Sequence, residues 1–359
     1  MPRLDARARR GSPRRERLGL ALLSAAGSIL FVNAGSTSFK LDVVAPDETS
    51  VRVGSLDAVE GSSLVAVAHR VVHGGPRFVE PVLIDESVVD EIRALETLAP
   101  LHNAPALAGI EGARAAFPDL PHVAVFDTAF HASMPVEAVT YAVPKQWREG
   151  WGVRRFGFHG ISVEWSVERT GHLVGRPPGD LRIVVCHLGG GSSVTAVRHG
   201  RSVDTTMGFS PLEGIPMNTR SGSVDPGVLV YVLREHGLTP DELDSVLNHE
   251  SGVVALAGGG AGLREIEATA AGGDADARLA VDVYVHRLVG AIAAMAAAAG
   301  GLDALVFTAG IGEKSAPIRG MTCERLRLLG IEIDPEANTG AAPDCELTAE
   351  GSKIRVLVV

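Results

Sequence analysis

The sequence predicts an α/β protein. Three observations carry that reading. Short apolar runs of strand length alternate with amphipathic, helix-length segments. Gly- or Ser-rich turns close several of the apolar runs. Both halves of the chain open the same way, with a strand, a Gly/Ser turn and a second strand, which suggests an internal duplication.

In the first half, Ile29 to Val32 reads as a strand running into the turn Asn33 to Lys40, and Leu41 to Val44 resumes an apolar/polar alternation. Val65 to Val72 is a further strand, closed by His73-Gly-Gly. Residues 85–98 read as a helix, with Val88, Val89, Ile92, Leu95 and Leu98 at helical spacing. Val123 to Phe126 is a strand that ends in Asp127. In the second half, Ile183 to Leu188 is a strand, Gly189 to Ser193 a turn, and Val194 to Arg198 the return strand of a hairpin. Residues 278–298 are apolar nearly all round and predict a buried helix. Leu305 to Thr308 is a strand leading into Ala309-Gly-Ile-Gly-Glu, and Ile354 to Val359 is the last strand.

The composition narrows the function classes. Of 359 residues, 46% are hydrophobic and 21% charged, an ordinary globular balance that suits two domains. Aromatics at 4% argue against stacking on single-stranded nucleic acid. The net charge is −10, and residues 1–28 hold seven arginines against Asp5 and Glu16, so the rest carries −15. Such an acidic body is a poor nucleic-acid binder. An anionic substrate therefore needs a local cation cluster. Cys186, Cys323 and Cys345 are few, odd in number and far apart, which excludes a disulfide framework and a thiolate zinc site and suits a reducing compartment. The Arg-rich start and Leu18 to Ala26 mimic a secretion or twin-arginine signal, but the apolar stretch is too short to span a membrane. Residues 1–28 are read as an extension outside the fold, disordered or the product of a start site placed too far upstream.

Three Gly-rich turns follow strands, at 33–38, 189–193 and 309–313. Such turns let backbone N–H groups approach phosphate oxygens closely, although glycine also ends strands for steric reasons. None fits the Walker or the dinucleotide-binding pattern, so a bound nucleotide needs another architecture. Arg70, Arg220, His102 and His159 sit beside strand ends or turns, where arginine suits a carboxylate or a phosphoryl group. Asp127, after an apolar strand, must be paired, capped or metal-bound.

Nine stretches, in order, resemble the acetate kinase family of the acetate and sugar kinase/heat-shock ATPase/actin superfamily: FVNAGSTSFK from Phe31, HRVVHGG from His69, LAPLHN from Leu98, VFDTAF from Val125, RRFGFHG from Arg154, CHLG from Cys186, SVDTTMGFSPLEG from Ser202, TRSG from Thr219 and FTAGIGE from Phe307. The resemblance implies two duplicated ribonuclease-H-like (actin-like ATPase) domains with a cleft between them, a shortened one over 29–129 and a nucleotide-binding one over 130–359. It implies reversible transfer of a phosphoryl group from ATP to acetate, Mg2+ or Mn2+ as cofactor, a homodimer, a cytoplasmic setting, and no nucleic acid or membrane as partner. Carried over by motif, Asp127, Arg220, His159 and His102 are the catalytic candidates. Arg70 would hold the acetate carboxylate, and Val72, Leu101, Phe158 and Pro211 would form the methyl pocket. Asn33 resembles a metal ligand, and Ser36, Ser38 and Lys40 its phosphate-side neighbours. His187, Leu188, Gly189, Gly190 and Gly191, then Gly262, Leu263 and Arg264, then Gly310, Ile311, Gly312, Glu313 and Lys314 resemble the nucleotide loops.

The departures from the family lie on the nucleotide and metal side. Gly262 stands where the family has an Asp, and Gly190 and Lys314 where it has Asn. The stretch from Lys40 to Arg70 is short. The family continues past the position of Val359 with a Glu that completes the Mg2+ site and a terminal helix. Two alternatives therefore stand beside the kinase reading: a degenerate or truncated paralogue with little activity, and a propionate or butyrate kinase.

Overall fold

The computed structural model describes residues 27–34, 39–59, 64–97 and 100–359, without the side chains of 57, 97 and 100–102. The leader-like stretch to residue 26, Ser36 and Ser38 lie outside it, as do the side chains of Leu101 and His102. The chain divides into two compact units, Met1–Ala129 and Phe130–Val359.

The first unit is built on a six-stranded sheet. Its strands are β1 (Ser28–Ala34), β2 (Phe39–Val44), β3 (Ser50–Val53), β4 (Leu64–Val71), β5 (Val82–Leu83) and β6 (His122–Phe126), in the order β3-β2-β1-β4-β6-β5. The hairpin pairs β1, β2 and β3 antiparallel, whereas β1, β4 and β6 run parallel. Leu30, Val32 and Ala34 alternate inward along β1, as a half-covered strand requires. Helices α1 (Glu86–Ala94) and α2 (Pro100–Ala116) cover that face. Asp85 caps α1 by accepting from Val88 N at 2.9 Å. Val89 and Ile92 of α1, with Leu107 and Ile110 of α2, pack on Val71, Ala124 and Phe126. The helix expected over 85–98 is shorter: the chain tightens into a 3-10 turn at Leu95–Thr97, so Leu95 continues the apolar stripe outside the α-helix.

The second unit repeats the same plan. Its strands are β7 (Arg182–Leu188), β8 (Ser192–Arg198), β9 (Arg201–Thr205), β10 (Ala304–Thr308), β11 (Cys345–Glu346) and β12 (Arg355–Val358). Their order, β9-β8-β7-β10-β12-β11, matches the first sheet strand for strand, in direction as well. The duplication suggested by two strand-turn-strand openings is thus real at the level of topology.

The helices used below are α3 (Gly160–Val174), α4 (Pro226–Glu235), α5 (Pro240–His249), α6 (Gly252–Leu256), α7 (Leu263–Ala271), α8 (Ala275–Ala298), α9 (Ala309–Lys314), α10 (Ala316–Arg325) and α11 (Pro335–Thr339). Strand β7 is covered on both faces, which explains its unbroken apolar run. Val184, Cys186 and Leu188 join the cluster of α8, while Ile183 and Val185 join Val163 and Val167 of α3. Helix α8 is long and apolar enough to cross a membrane, but it buries a stripe through Ala277, Val281, Tyr284, Leu288 and Ile292 in this core. The expectation of a buried helix holds for one face only: Leu279 is 51% exposed, and Arg278, Asp282, His286 and Arg287 face outward, followed by alanines toward the end of the helix. Alanine is apolar yet small, so its exposure costs little.

Candidate active site

In the first unit the carboxyl ends of the parallel strands gather three of the predicted residues. Asn33 is the penultimate residue of β1, Arg70 that of β4, and Asp127 follows β6. The register pairs Val32 with His69 and Arg70 with Val125, so the three side chains meet. Arg70 donates from Nε to both Asp127 oxygens at 3.1 Å and from Nη2 to Oδ2 at 2.5 Å. Its Nη1 donates to Asn33 Oδ1 at 3.0 Å. Asp127 is nearly enclosed, and Asp127 N is fixed by Val71 O at 3.0 Å. The Asp127 charge raises the Arg70 pKa above its usual value, against the effect of burial. A guanidinium carries five N–H donors. Among the described residues three are used, leaving one on each terminal nitrogen. Two such donors suit a bidentate carboxylate.

Alternate residues of β4 face the other way. Buried His69 places Nε2 2.9 Å from His122 Nδ1, and His122 Nε2 lies 3.0 Å from Phe117 O. Burial, then the neighbouring His122, brings the His69 pKa down to about 3. The loop after β4 is pinned by Asn103, which accepts from His73 N at 3.2 Å and donates to His73 O at 3.1 Å. Val72 is buried at this loop, and Lys40 is exposed, opposite Asn33 in the hairpin register.

A second group forms within the other unit. His159 takes a left-handed conformation, φ 61°, at the start of α3. Its Nδ1 lies 2.9 Å from Ser193 Oγ, and its ring stacks on His187 at 4.0 Å between centroids. His187 Nδ1 is 2.8 Å from Ser162 Oγ. A methyl group added at Gly191 would lie 3.3 Å from His159 Nε2 and 3.5 Å from Arg220 Nη1, so the bare glycine opens a cradle between these two groups.

Arg220 is positioned through its backbone. Val253 N donates to Met217 O, Val254 N to Asn218 O, Ser251 N to Thr219 O and Ser221 N to Leu247 O, all at 2.9–3.0 Å. The close approach needs Gly252, where φ is +70° and a Cβ would lie 2.2 Å from Met217 O. The Arg220 guanidinium is partly buried, and burial alone lowers its pKa. Among the described residues no carboxylate pairs with it.

A cavity of about 600 Å³ opens beside this group. It is lined by Gly189 and Gly190, by Gly262, Leu263 and Arg264, and by Gly310, Ile311 and Lys314. Eight of the residues carried over from the family's nucleotide loops thus share one wall system. Asn218, Ala261, Glu265 and Ala268 complete it. Five others do not line it: His187 and Gly191 belong to the His159 and Arg220 group. Leu188 is buried in the core, while the carbonyls of Gly312 and Glu313 accept from Arg319 on the far side. At Gly262 φ is +137° and a Cβ would come within 3.0 Å of Asn218 Nδ2, so the backbone here has adapted to glycine.

The remaining candidates are spread. Phe158 is buried, its carbonyl 2.8 Å from His131 Nε2. Pro211 sits in the Met207–Gly214 loop, which Glu213 anchors to Arg155 Nη2 at 2.7 Å and to Tyr141. Among the described residues no group of three or more His, Cys, Asp or Glu converges as a metal cage. Asn103, Asn218 and Gly252 were not singled out from the sequence. Asn103 ends one quoted motif and Asn218 immediately precedes another, but the role of Gly252 depends on a partner over thirty residues away.

Comparison with known proteins points to one family. Residues 55–359 match the family model described as the acetokinase family. An acetate kinase of Leifsonia xyli subsp. xyli is 49% identical over 90% of this chain and 83% of its own length. One from Deinococcus deserti is 54% identical over 77% of this chain and 69% of its own. Among solved structures, a propionate kinase of Francisella tularensis superposes with a TM-score of 0.87 at 34% identity, and the acetate kinase of Porphyromonas gingivalis with 0.83 at 32%. Each covers 93% of this chain and is itself covered to 96%.

Proposed function

The chain belongs to the acetokinase family, and on that premise we propose that it transfers the γ-phosphoryl group of ATP to acetate, giving acetyl phosphate and ADP. One observation carries this reading most directly. Arg220 is a partly buried cation with no carboxylate partner among the described residues. It lies beside His159 at a bare glycine that continues the wall of the cavity. A desolvated, uncompensated arginine is expensive to keep and suits an anion that arrives and leaves.

Phosphoryl transfer demands positioning and charge neutralisation, with no covalent enzyme intermediate. Arg70 receives the acetate carboxylate on its two remaining N–H groups. Asp127 and Asn33 fix the plane of that guanidinium. Asp127 also offsets the Arg70 charge, which leaves acetate oriented but still nucleophilic. The ATP phosphates lie along Gly189 to Gly191, and Arg220 and His159 meet the oxygens of the transferring group. The nucleoside occupies the cavity between Gly262 to Arg264 and Gly310 to Lys314.

Mg2+ usually comes with the nucleotide and needs only one or two protein oxygens. Asn33 and Asp127 supply hard oxygen donors of the kind such an ion takes; each already accepts from Arg70, so they would hold it through remaining lone pairs or through its own waters. Bound there with ATP, the ion would neutralise phosphate charge.

Helices α4 and α5 bury no residue within their unit and expose Val228, Val230 and Tyr231. Such a face fits a second copy in a homodimer. The enzyme is read as cytoplasmic, where ATP is available.

The test is hydroxamate trapping of acetyl phosphate with ATP, Mg2+ and acetate, beside an Arg220→Ala control. Product that disappears in the control supports the reading. No product from folded protein overturns it in favour of a degenerate relative. Given the similarity to a propionate kinase, the assay is extended over acetate, propionate and butyrate. Each methylene changes discrimination by about 1–3 kcal/mol.

A further inference from the structure

Arg319 of α10 is the largest fully enclosed side chain among the described residues, 2% exposed. A buried guanidinium is tolerated only where its donors find oxygens. Nη1 donates to the carbonyls of Gly312 and Glu313, each at 2.8 Å. Nε donates to Asn338 Oδ1 at 2.8 Å and Nη2 to Asn338 O at 2.7 Å. Asn338, on α11, in turn donates from Nδ2 to Ala316 O at 2.9 Å.

The two carbonyls held by Nη1 belong to α9. The other side of that six-residue turn, at Gly310, Ile311 and Lys314, lines the cavity. The turn begins at Ala309 with φ +65°, a left-handed conformation that a residue with a Cβ rarely adopts. A short turn does not hold such a conformation unaided; its surroundings must impose it.

A second tie reaches the opposite wall. Ser315 Oγ accepts from Ile318 N at 3.1 Å, capping α10, and donates to Glu267. Glu267 lies on α7, whose first residues Leu263 and Arg264 line the cavity. Burial raises the Glu267 pKa, and nearby Arg319 offsets part of that rise.

We infer that Arg319 and Glu267 are positioning residues for the nucleotide: Arg319 fixes the α9 wall from behind, and Glu267, through Ser315, ties that wall to α7. Neither touches substrate; together they set the width of the slot. The inference rests on the reading of this cavity as the nucleotide site.

The experiment is calorimetric titration of ADP, with steady-state kinetics, on the wild type and on Arg319→Lys, Arg319→Met and Glu267→Ala. The ADP Kd and the KM for ATP are expected to rise about tenfold in Arg319→Lys, further in Arg319→Met, and about threefold in Glu267→Ala. The KM for acetate should move less than twofold. Partial rescue by lysine marks the charge as the active feature. A merely structural role would lower Tm or the amount of active protein and leave Kd alone. If Arg319→Met does not fold, Glu267→Ala, at a partly buried site, carries the same comparison. Folded variants with an unchanged ADP Kd overturn this inference alone. A wild type that binds no ADP overturns the assignment of the cavity and this inference with it.

Discussion

Replacing Arg220 by methionine should pull stability and activity in opposite directions. Arg220 is partly buried, its pKa is lowered by burial alone, and no carboxylate among the described residues compensates it. In the resting protein it is therefore a cost. Exchanging a buried ion for an apolar side chain of similar length gains about 1 kcal/mol or more. In a unit of this size each kcal/mol shifts Tm by about 2–4 °C, so Arg220→Met should melt a few degrees higher. An arginine that meets a transferring phosphoryl group contributes about 10³–10⁵ in rate, or about 4–7 kcal/mol. Hydroxamate trapping at saturating ATP and acetate reads that loss. Scanning calorimetry with and without ATP reads the other half: ATP should raise the wild-type Tm and move the variant less. A Tm several degrees below wild type would refute the reasoning, since Arg220 would then be a structural residue. So would activity within tenfold of wild type.

Three further outcomes follow from the same geometry. Gly191→Ala adds a methyl group 3.3 Å from His159 Nε2 and 3.5 Å from Arg220 Nη1, which the resting fold tolerates; Tm should stay within about 2 °C, while kcat/KM for ATP falls at least tenfold. Gly252→Ala should instead lower stability and activity together. With a Cβ 2.2 Å from Met217 O at φ +70°, it should cost about 3 kcal/mol or more in urea unfolding and lower kcat as Arg220 shifts. His69 gives a pH dependence. It stays neutral in the fold down to about pH 3 but protonates near 6.5 when unfolded. Stability is thus complete above pH 6.5 and lost as pH falls, by about 1.4 kcal/mol per unit, or about 2 kcal/mol at pH 5. His69→Gln should flatten the pH dependence of Tm between 6.5 and 4; an unchanged slope would refute the assignment.

Much of this was legible in the sequence because the signals are local. Ile183 to Leu188 is a strand by its unbroken apolar run, and Asp127 had to be paired, capped or metal-bound because it ends such a run. What it pairs with was not legible: Arg70 is 57 residues away, and only the parallel register brings it there. The end of α1 was misjudged because Leu95 keeps helical spacing while its backbone tightens. Helix α8 was misjudged because alanine counts as apolar wherever it faces. Arg319 and Gly252 stayed hidden for another reason. One is an arginine on a helix and the other a glycine after a serine, and only tertiary contacts give either a task. Two walls of the cavity were legible as Gly-rich turns and the third, Gly262 to Arg264, only through the family resemblance, but their closure into one cavity required three segments separated by more than forty residues each.

The walls at Gly189 and Gly310 have an evolutionary corollary. Where peptide groups rather than side chains face a ligand, substitution has no side chain to delete, and every residue except proline keeps the same main-chain donor and acceptor. Drift at such a site proceeds only by adding atoms. Loss of function then arrives as obstruction, and reversion needs only a return to hydrogen. Side chains beside the wall, such as those of Lys314 and Arg264, can then change while the main-chain groups that face the cavity stay chemically constant.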